Sequence, residues 1–494
     1  MKKHRILLQP LGKSLIVNDQ TPLIDVLHEY GIEFPCGGKG TCGKCKVKLL
    51  EGEIGLTAVH QQKLTALCLS DEWRLACHSR CTSDITLEVE QCNHIILADE
   101  SSFDFVPQTG FGVAVDVGTT TLVAQLIDLS SGKVIAVETR INPQGKYGAD
   151  LISRIQSCIN GYASEMTYMI RQAIGSMIEQ MLRLHKVEIK RISLVGNSAM
   201  QLIFSNADVT PLAAYPFDSA NSGQKEFSVS ELNWKFKVKE KIIFFPSIGS
   251  FVGSDILAGI VATNLHNKEN YCALIDLGTN GEIVVGNQHR IVCASTAAGP
   301  AFEGTNISIG MRAVTGAISS VYFRDNLLKY NTIGNVKPKG ICGSALIDAI
   351  ACFRESDLIG VFGEINSGEN QIALTTGLGL TQTDINEFQL AKAAIAAGFE
   401  ILCKSLSIEV KDIQELYIAG GFGNYINIRH LIQTGMIDLP EERIHKMGNT
   451  ALTGAKIFLF ADNQISNEIL SKTTHINLER DAEFQNIYVE KMLF

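Results

Sequence analysis

The sequence predicts an α/β protein in two unlike parts: a small strand-rich unit at the N-terminus and a larger unit that states one strand figure twice. Three observations carry this. Seven of the 13 cysteines (Cys36, Cys42, Cys45, Cys68, Cys77, Cys81 and Cys92) fall within the first 95 of 494 residues. The tetrad Asp116-Val117-Gly118-Thr119 returns 160 residues later as Asp276-Leu277-Gly278-Thr279, each time ending an apolar strand and opening a hairpin. Charge is uneven as well: the first 95 residues hold 11 Lys+Arg and 11 Asp+Glu, so the net −9 lies in the remainder.

At about 150 residues per domain the length suggests about three folded units. With 46% hydrophobic and 19% charged residues and only 11 prolines, the chain can bury a sizeable core and shows no broad disorder. A net acidic chain without a basic stripe argues against a nucleic-acid surface. No run of about 20 apolar residues occurs and no apolar segment with a cleavage site follows Met1-Lys2-Lys3, so neither a membrane span nor a secretory signal is predicted. The cytoplasm is the expected compartment. Thiols stay reduced there, and clustered cysteines read as metal-binding or catalytic.

In chain order, ILLQPLG and SLIVN flank a Gly-Lys turn and predict a hairpin. Thr21 and Pro22 are an N-cap and first-turn pair for a helix over LIDVLHEY, which Gly31 stops. A Gly- and Cys-rich loop from Cys36 to Cys45, a strand KVKLL, a less regular stretch and a last strand DITLEVE complete a two-strand, helix, two-strand plan. Residues 93–110 read as a linker. The strands GVAVDVG, LVAQLIDL and KVIAVET then follow, and the figure returns in CALIDLG, EIVVG and HRIVCAS. Helices are predicted at GADLISRIQSCI, GSDILAGIVATNL, NEFQLAKAAIAAGFEILCKSL and TALTGAKIFLFA, with a strand ELYIAGGFG before the last.

Two constellations carry chemistry. In CGGKGTCGKC, Cys36, Cys42 and Cys45 stand at C-x5-C-x2-C with a fourth thiolate further on, the arrangement that wraps a 2Fe-2S cluster. Cys68, Cys77, Cys81 and Cys92 are available as the fourth ligand. Cys77, in RLACH shortly before the last strand, is preferred, with Cys81 as a replacement and Cys68 and Cys92 as small buried thiols. The paired C-x2-C knuckles of structural zinc are a poor match. Gly38 to Lys44 also spells G-x-x-x-x-G-K, but Cys45 stands where a Mg²⁺-binding Ser or Thr is needed, so a P-loop is rejected.

The second constellation is the repeated Asp-x-Gly-Thr hairpin. Its turn offers N–H and hydroxyl donors to phosphate oxygens, and its Asp can hold a hydrated Mg²⁺. Two such turns facing across a cleft would grip a nucleotide's phosphates from both sides.

DVGTTT, DLGTNGE, IAGGFG and GNTALTGA resemble the two phosphate motifs, the adenosine motif and the second connecting helix of the actin, heat-shock-chaperone and sugar-kinase ATPase superfamily. Together with INPQGKYGADLISRI, VGNSAM, GPAFEG and GICGSALID, and with the cysteine-rich front end, the chain is similar to the reductive activators of corrinoid proteins, which use ATP to reinstate Co(I). The resemblance spans residues 1–92 and about 111–461. It implies a β-grasp 2Fe-2S ferredoxin domain (1–95), a linker (96–110) and a duplicated RNase H-like, actin-like ATPase (111–265 and 266–494, with a C-terminal return helix). Such activators commonly carry a further linker and a small middle domain, for which the 18 residues between Cys92 and Phe111 leave no room. Gln201 stands where a His is common and receives no role.

By the same resemblance, Asp116 and Asp276 contact Mg²⁺ or its waters. Gly118, Thr119, Thr120, Gly278, Thr279 and Asn280 meet phosphates, and Gly420, Gly421 and Gly423 meet adenosine. Asp255, 21 residues before Asp276, is the candidate for orienting water, with Glu282 and Glu303 as weaker acidic candidates. The histidines suggest no metal site. A plant-type cluster sits near about −400 mV, and Co(II) reduction is more demanding still. The expectation is therefore that the electron leaves through the ferredoxin while ATP stabilises a partner-bound state. Expected partners are a corrinoid protein, an electron donor and a second copy of the chain. A radical-dehydratase activator, a small-molecule kinase with a redox domain and a non-enzymatic redox scaffold are the alternatives.

Overall fold

The computed structural model describes all residues except 1, 10, 11, 28, 29, 31, 33, 35–44, 67, 68, 90–102, 104, 216, 218–221, 279, 305, 326, 421–424, 462 and 463. At the N-terminus, Lys3–Gln9 alternates inward residues His4, Ile6 and Leu8 with outward ones, which fixes its face against the core. It pairs antiparallel with Lys13–Asn18 and parallel with Ile85–Glu88. Beyond Ile85–Glu88 lie Lys46–Glu51 and then Trp73–Leu75, both antiparallel, to give a five-stranded mixed sheet.

Two local readings are corrected. Thr21–Pro22 does not cap a helix. It forms a short ladder with Arg80–Cys81, and the Thr21 hydroxyl donates to Asn18 O at 2.7 Å, closing the preceding turn; the helix covers Ile24–Leu27. The stretch read as irregular contains a helix, Ala58–Ala66. Its apolar signal is weak because it buries few residues, among them His60 and Leu64.

His60 is fully buried and its Nε2 accepts the Leu75 N–H at 2.9 Å, while Nδ1 finds no partner among the described residues. Burial, followed by the positive fields of His78, Arg74 and Lys63, lowers its pKa to about 4. A histidine held neutral in the fold stabilises it above the unfolded pKa, and that contribution is lost as pH falls. The N-terminal unit is therefore expected to lose on the order of 2–3 kcal/mol between about pH 6.5 and pH 4. Urea unfolding of a Trp234→Phe chain checks this, because Trp73 then reports on this unit alone.

The larger unit contains two six-stranded sheets. In the first, the order is Val134–Ile141, Thr121–Asp128, Phe111–Val117, Ile189–Val195, Ile242–Phe244, Lys225–Phe227. In the second, it is Ile444–Gly448, Glu415–Ala419, Cys272–Leu277, Gly281–Gly286, Ile291–Thr296, Thr473–His475. Numbering the five common strands from the first after each boundary gives the same order in both sheets, 3-2-1-4-5, with strands 1 to 3 antiparallel and 4 and 5 parallel to strand 1. The duplication is thus one of topology as well as of motif, and the RNase H-like reading holds.

The halves meet through Ser254–Ala262 and Thr450–Phe458, which share a core containing Leu257, Ile260, Leu274, Leu452 and Ala455. Glycines let the two helices approach: a Cβ on Gly454 would lie 2.1 Å from Ala258 O. Gly→Ala inside a helix ordinarily gains about 1 kcal/mol. Here the clash is with backbone that cannot swing away, so Gly454→Ala is expected to destabilise by about 1–3 kcal/mol, read from its urea midpoint. Gln201 is structural: its amide donates to Phe245 O at 2.7 Å and accepts from Ser247 Oγ at 3.0 Å.

A nucleotide cleft and a cysteine pair as candidate functional sites

Each repeated tetrad ends strand 1 of its sheet. Gly118 is required because a Cβ there would fall 2.5 Å from Thr121 O. The main-chain carbonyls of the turn are all engaged from behind. Gly118 O accepts from Asn142 Nδ2 at 2.9 Å, Thr119 O from Arg154 Nη2, and Thr120 O from the Asn142 N–H at 2.8 Å. The Thr119 hydroxyl oxygen accepts from Asn197 Nδ2 at 2.9 Å. With its carbonyls held on one side, the turn is left with N–H donors for an anion.

The sequence motifs explain who does the holding. Asn142 is the second residue of INPQGKYGADLISRI, whose Asp150 caps the helix Leu151–Ser157 by accepting from Ser153 N–H at 2.8 Å, and Arg154 is one residue further. Gly148 is obligatory, since a Cβ would meet Ser153 Cβ at 2.3 Å, and its carbonyl accepts from Arg154 Nε at 3.0 Å. Asn197, in VGNSAM, caps its own helix while reaching Thr119. Sequence reasoning gave Asn142, Arg154 and Asn197 no roles; all three sit in quoted motifs, but their function depends on contacts across as many as 78 positions.

Four carboxylates converge in the cleft. Asp116 and Asp276 come from the strand ends, Asp255 from the first turn of Ser254–Ala262, and Glu282 from the strand opposite Asp276. Burial raises Asp116 to about 6, even though Asn449 Nδ2 donates to its carboxylate at 2.8 Å. Burial, then the charges of Asp276 and Asp116, raises Asp255 to about 7. Asp276 reaches about 7 through burial and Asp116. Glu282 is pushed well up by burial and by Asp255 and Asp276, with Ser295 donating to it. Gly253 holds the N-cap position of the helix Ser254–Ala262, and the Asp255 carboxylate accepts the Ile256 N–H at 2.9 Å within the first turn. Contacts of Ser254 Oγ with Gly196 N and O fix its backbone beside the VGN turn. Among the described residues no three of these side chains group closely enough to hold a metal ion by themselves, so as hard oxygen donors they suit contact with the waters of a hydrated Mg²⁺ rather than direct chelation.

Gly420 lies against Asp276, where a Cβ would meet Oδ1 at 2.9 Å and Leu277 O at 2.4 Å, and its φ of +102° favours glycine besides. In the second turn the Gly278 N–H donates to Asn280 O at 3.0 Å. Thr279, Gly421 and Gly423 lie outside the described residues. Glu303 and Arg312 approach closely enough to influence the charge of Arg154.

In the N-terminal unit, pairing of Lys46 with Leu75 sets Cys45 beside the turn that carries Cys77. The two sulfurs stand 3.2 Å apart and are not joined in a disulfide. Such thiol donors fit a 2Fe-2S cluster. Cys36, Cys42, Cys68 and Cys92 lie outside the described residues. Cys81 is fully buried, its thiol donates to Ser83 O at 3.3 Å, and burial raises its pKa. Lys146 joins the two parts, with its ammonium 3.6 Å from Asp25 and 2.8 Å from Glu165.

Comparison with known proteins agrees with this architecture. Residues 7–82 match a 2Fe-2S iron-sulfur cluster binding domain, 111–268 the RACo middle region, and 270–494 the C-terminal domain of RACo, the ASKHA domain. The two RACo regions together span most of the chain, which is similar along its whole length to the reductive activators of corrinoid proteins. It is 29% identical to the corrinoid activation enzyme RamQ of Eubacterium limosum, over 99% of both chains. It is 27% identical to the [Co(II) methylated amine-specific corrinoid protein] reductase of Methanosarcina barkeri, over 77% of this chain and 76% of that one. A solved reductive activator for corrinoid, iron-sulfur protein superposes with a TM-score of 0.69 and 27% identity, over 99% of this chain and 98% of that one. The stretch that matches the RACo middle region, 111–268, contains the first of the two six-stranded sheets.

Proposed function

We propose that this protein uses ATP to drive electron delivery from a 2Fe-2S cluster to a corrinoid protein, returning inactive Co(II) to Co(I) for methyl transfer. One observation carries the reading: a cysteine pair suited to a cluster and a carboxylate-lined nucleotide cleft occur on one chain whose full length aligns with corrinoid activators. When bound, the cluster supplies a one-electron store at low potential. Cys45 and Cys77, with Cys36 and Cys42, hold it. The Gly118–Thr120 turn and Gly278, Thr279 and Asn280 bind phosphates, while Gly420, Gly421 and Gly423 make room for adenosine. Asp116, Asp276 and Glu282 face the phosphates' cation, and Asp255 orients the attacking water. Gripping the phosphates from both sheets closes the cleft on the shared helices, and that closed form favours the partner-bound state.

No helix of the described residues is long and apolar enough to cross a membrane. None of the nine described cysteines is in a disulfide, which fits a reducing cytoplasm. We place the chain there as a homodimer through its ATPase part, served by a separate electron donor. The test is a visible spectrum of the anaerobic protein with candidate corrinoid proteins and a low-potential reductant. Co(I) is expected with ATP, and Co(I) forming equally fast without ATP would sink the coupling.

A further inference from the structure

Arg154 is only 1% exposed, yet every recorded acceptor it reaches is uncharged: Gly148 O at 3.0 Å, Gln144 Oε1 at 3.3 Å, Met200 Sδ at 3.5 Å and Thr119 O. Among the described residues it forms no ion pair. Buried charges are ordinarily paired, and the one carboxylate on its own turn, Asp150, is engaged by Ser153 instead. A guanidinium carries five N–H donors; four recorded bonds leave one. The charge is nonetheless retained, because burial lowers its pKa only to about 9. The arginine is thus a fixed positive charge directly behind the Thr119–Thr120 peptide. Donating to Thr119 O polarises that peptide and strengthens the Thr120 N–H as a donor on the cleft side.

We propose that Arg154 is a positioning residue that makes the first turn selective for the terminal phosphate charge of a nucleoside triphosphate, acting through the Thr119–Thr120 peptide. This rests on the nucleotide reading above. Packing alone would affect all ligands of the cleft alike. A charge relayed to the turn acts on phosphate and leaves adenosine alone.

The test is calorimetric binding of the Mg²⁺ complex of a non-hydrolysable ATP analogue, of ADP and of adenosine to the full chain and to two variants. Arg154→Met keeps the volume and removes the charge. It is expected to weaken the triphosphate about 10–100-fold and ADP less, with adenosine within about twofold. Arg154→Lys keeps the charge but not the fork, and is expected to weaken the triphosphate about 3–10-fold with adenosine unchanged. If Arg154→Met does not fold, Arg154→Lys decides by the same selectivity. Wild-type affinity for the triphosphate in a folded variant, or equal loss for triphosphate and adenosine, overturns the proposal. A wild-type chain that binds none of the three ligands removes the nucleotide reading itself, and this inference with it.

Discussion

Asp276→Ala is expected to lower ATP hydrolysis by about 10²–10³-fold while leaving the nucleotide-free protein at least as stable as wild type. The two effects have one cause. Asp276 is buried beside Asp116 and raises the pKa of both Asp255 and Glu282, so the empty cleft bears mutual repulsion. Removing one carboxylate relieves that repulsion, and it also removes the residue at the end of the second strand 1 that is proposed to face the phosphates' cation. Asp255→Ala separates the roles. If Asp255 orients water, the variant binds Mg²⁺-ATP with near wild-type affinity but hydrolyses it about 10²-fold more slowly. Measured kcat, nucleotide affinity and melting temperature check both variants. Wild-type turnover by Asp255→Ala removes it from the mechanism, and a large fall in the melting temperature of Asp276→Ala would show that the carboxylates hold the fold rather than strain it.

Much of this was legible in the sequence because the fold writes its duplication locally. Each strand 1 is an apolar run ending in Asp-x-Gly-Thr, and the following hairpin lies within a few residues, so Asp116 and Asp276 could be placed by pattern alone. Asp255 was legible only through the family resemblance, which expects an acidic residue at that spacing before Asp276. Asn449 and Arg154 were not. Asn449 reaches Asp116 across 333 positions, and Arg154 reaches Thr119 only because the Asn142–Gly148 turn doubles back beneath the first hairpin. Nothing in local propensity encodes such a return. Thr21-Pro22 misled for the opposite reason. It carries a strong local cap signal, and pairing with Arg80–Cys81, which tertiary contacts alone decide, overrode it.

Cys77→Ser is expected to abolish the 2Fe-2S cluster and with it Co(I) formation, while ATP hydrolysis stays within about twofold of wild type. The cysteine is placed by strand register and the turn that follows: Lys46 opposes Leu75, the Ala76 N–H donates to Cys45 O at 2.9 Å, and the Ala76–His78 turn brings the Cys77 sulfur to 3.2 Å from that of Cys45. A serine in the same place offers a hard oxygen that stays protonated near neutral pH, a poor substitute for a thiolate on iron. Cys81→Ala is the control. Its thiol is turned to Ser83 O and kept protonated by burial, so this variant retains the cluster's visible absorbance and electron paramagnetic resonance signal after reduction. A cluster that survives Cys77→Ser but not Cys81→Ala would exchange the two assignments. ATP hydrolysis decides a further point, because Asp25–Lys146 is the one ion pair recorded between the cysteine-bearing unit and the sheets among the described residues. An exposed pair of that kind is worth about 0–1 kcal/mol. The nucleotide cleft should therefore run without the cluster, and Cys77→Ser should separate ATP turnover from electron delivery in a single molecule.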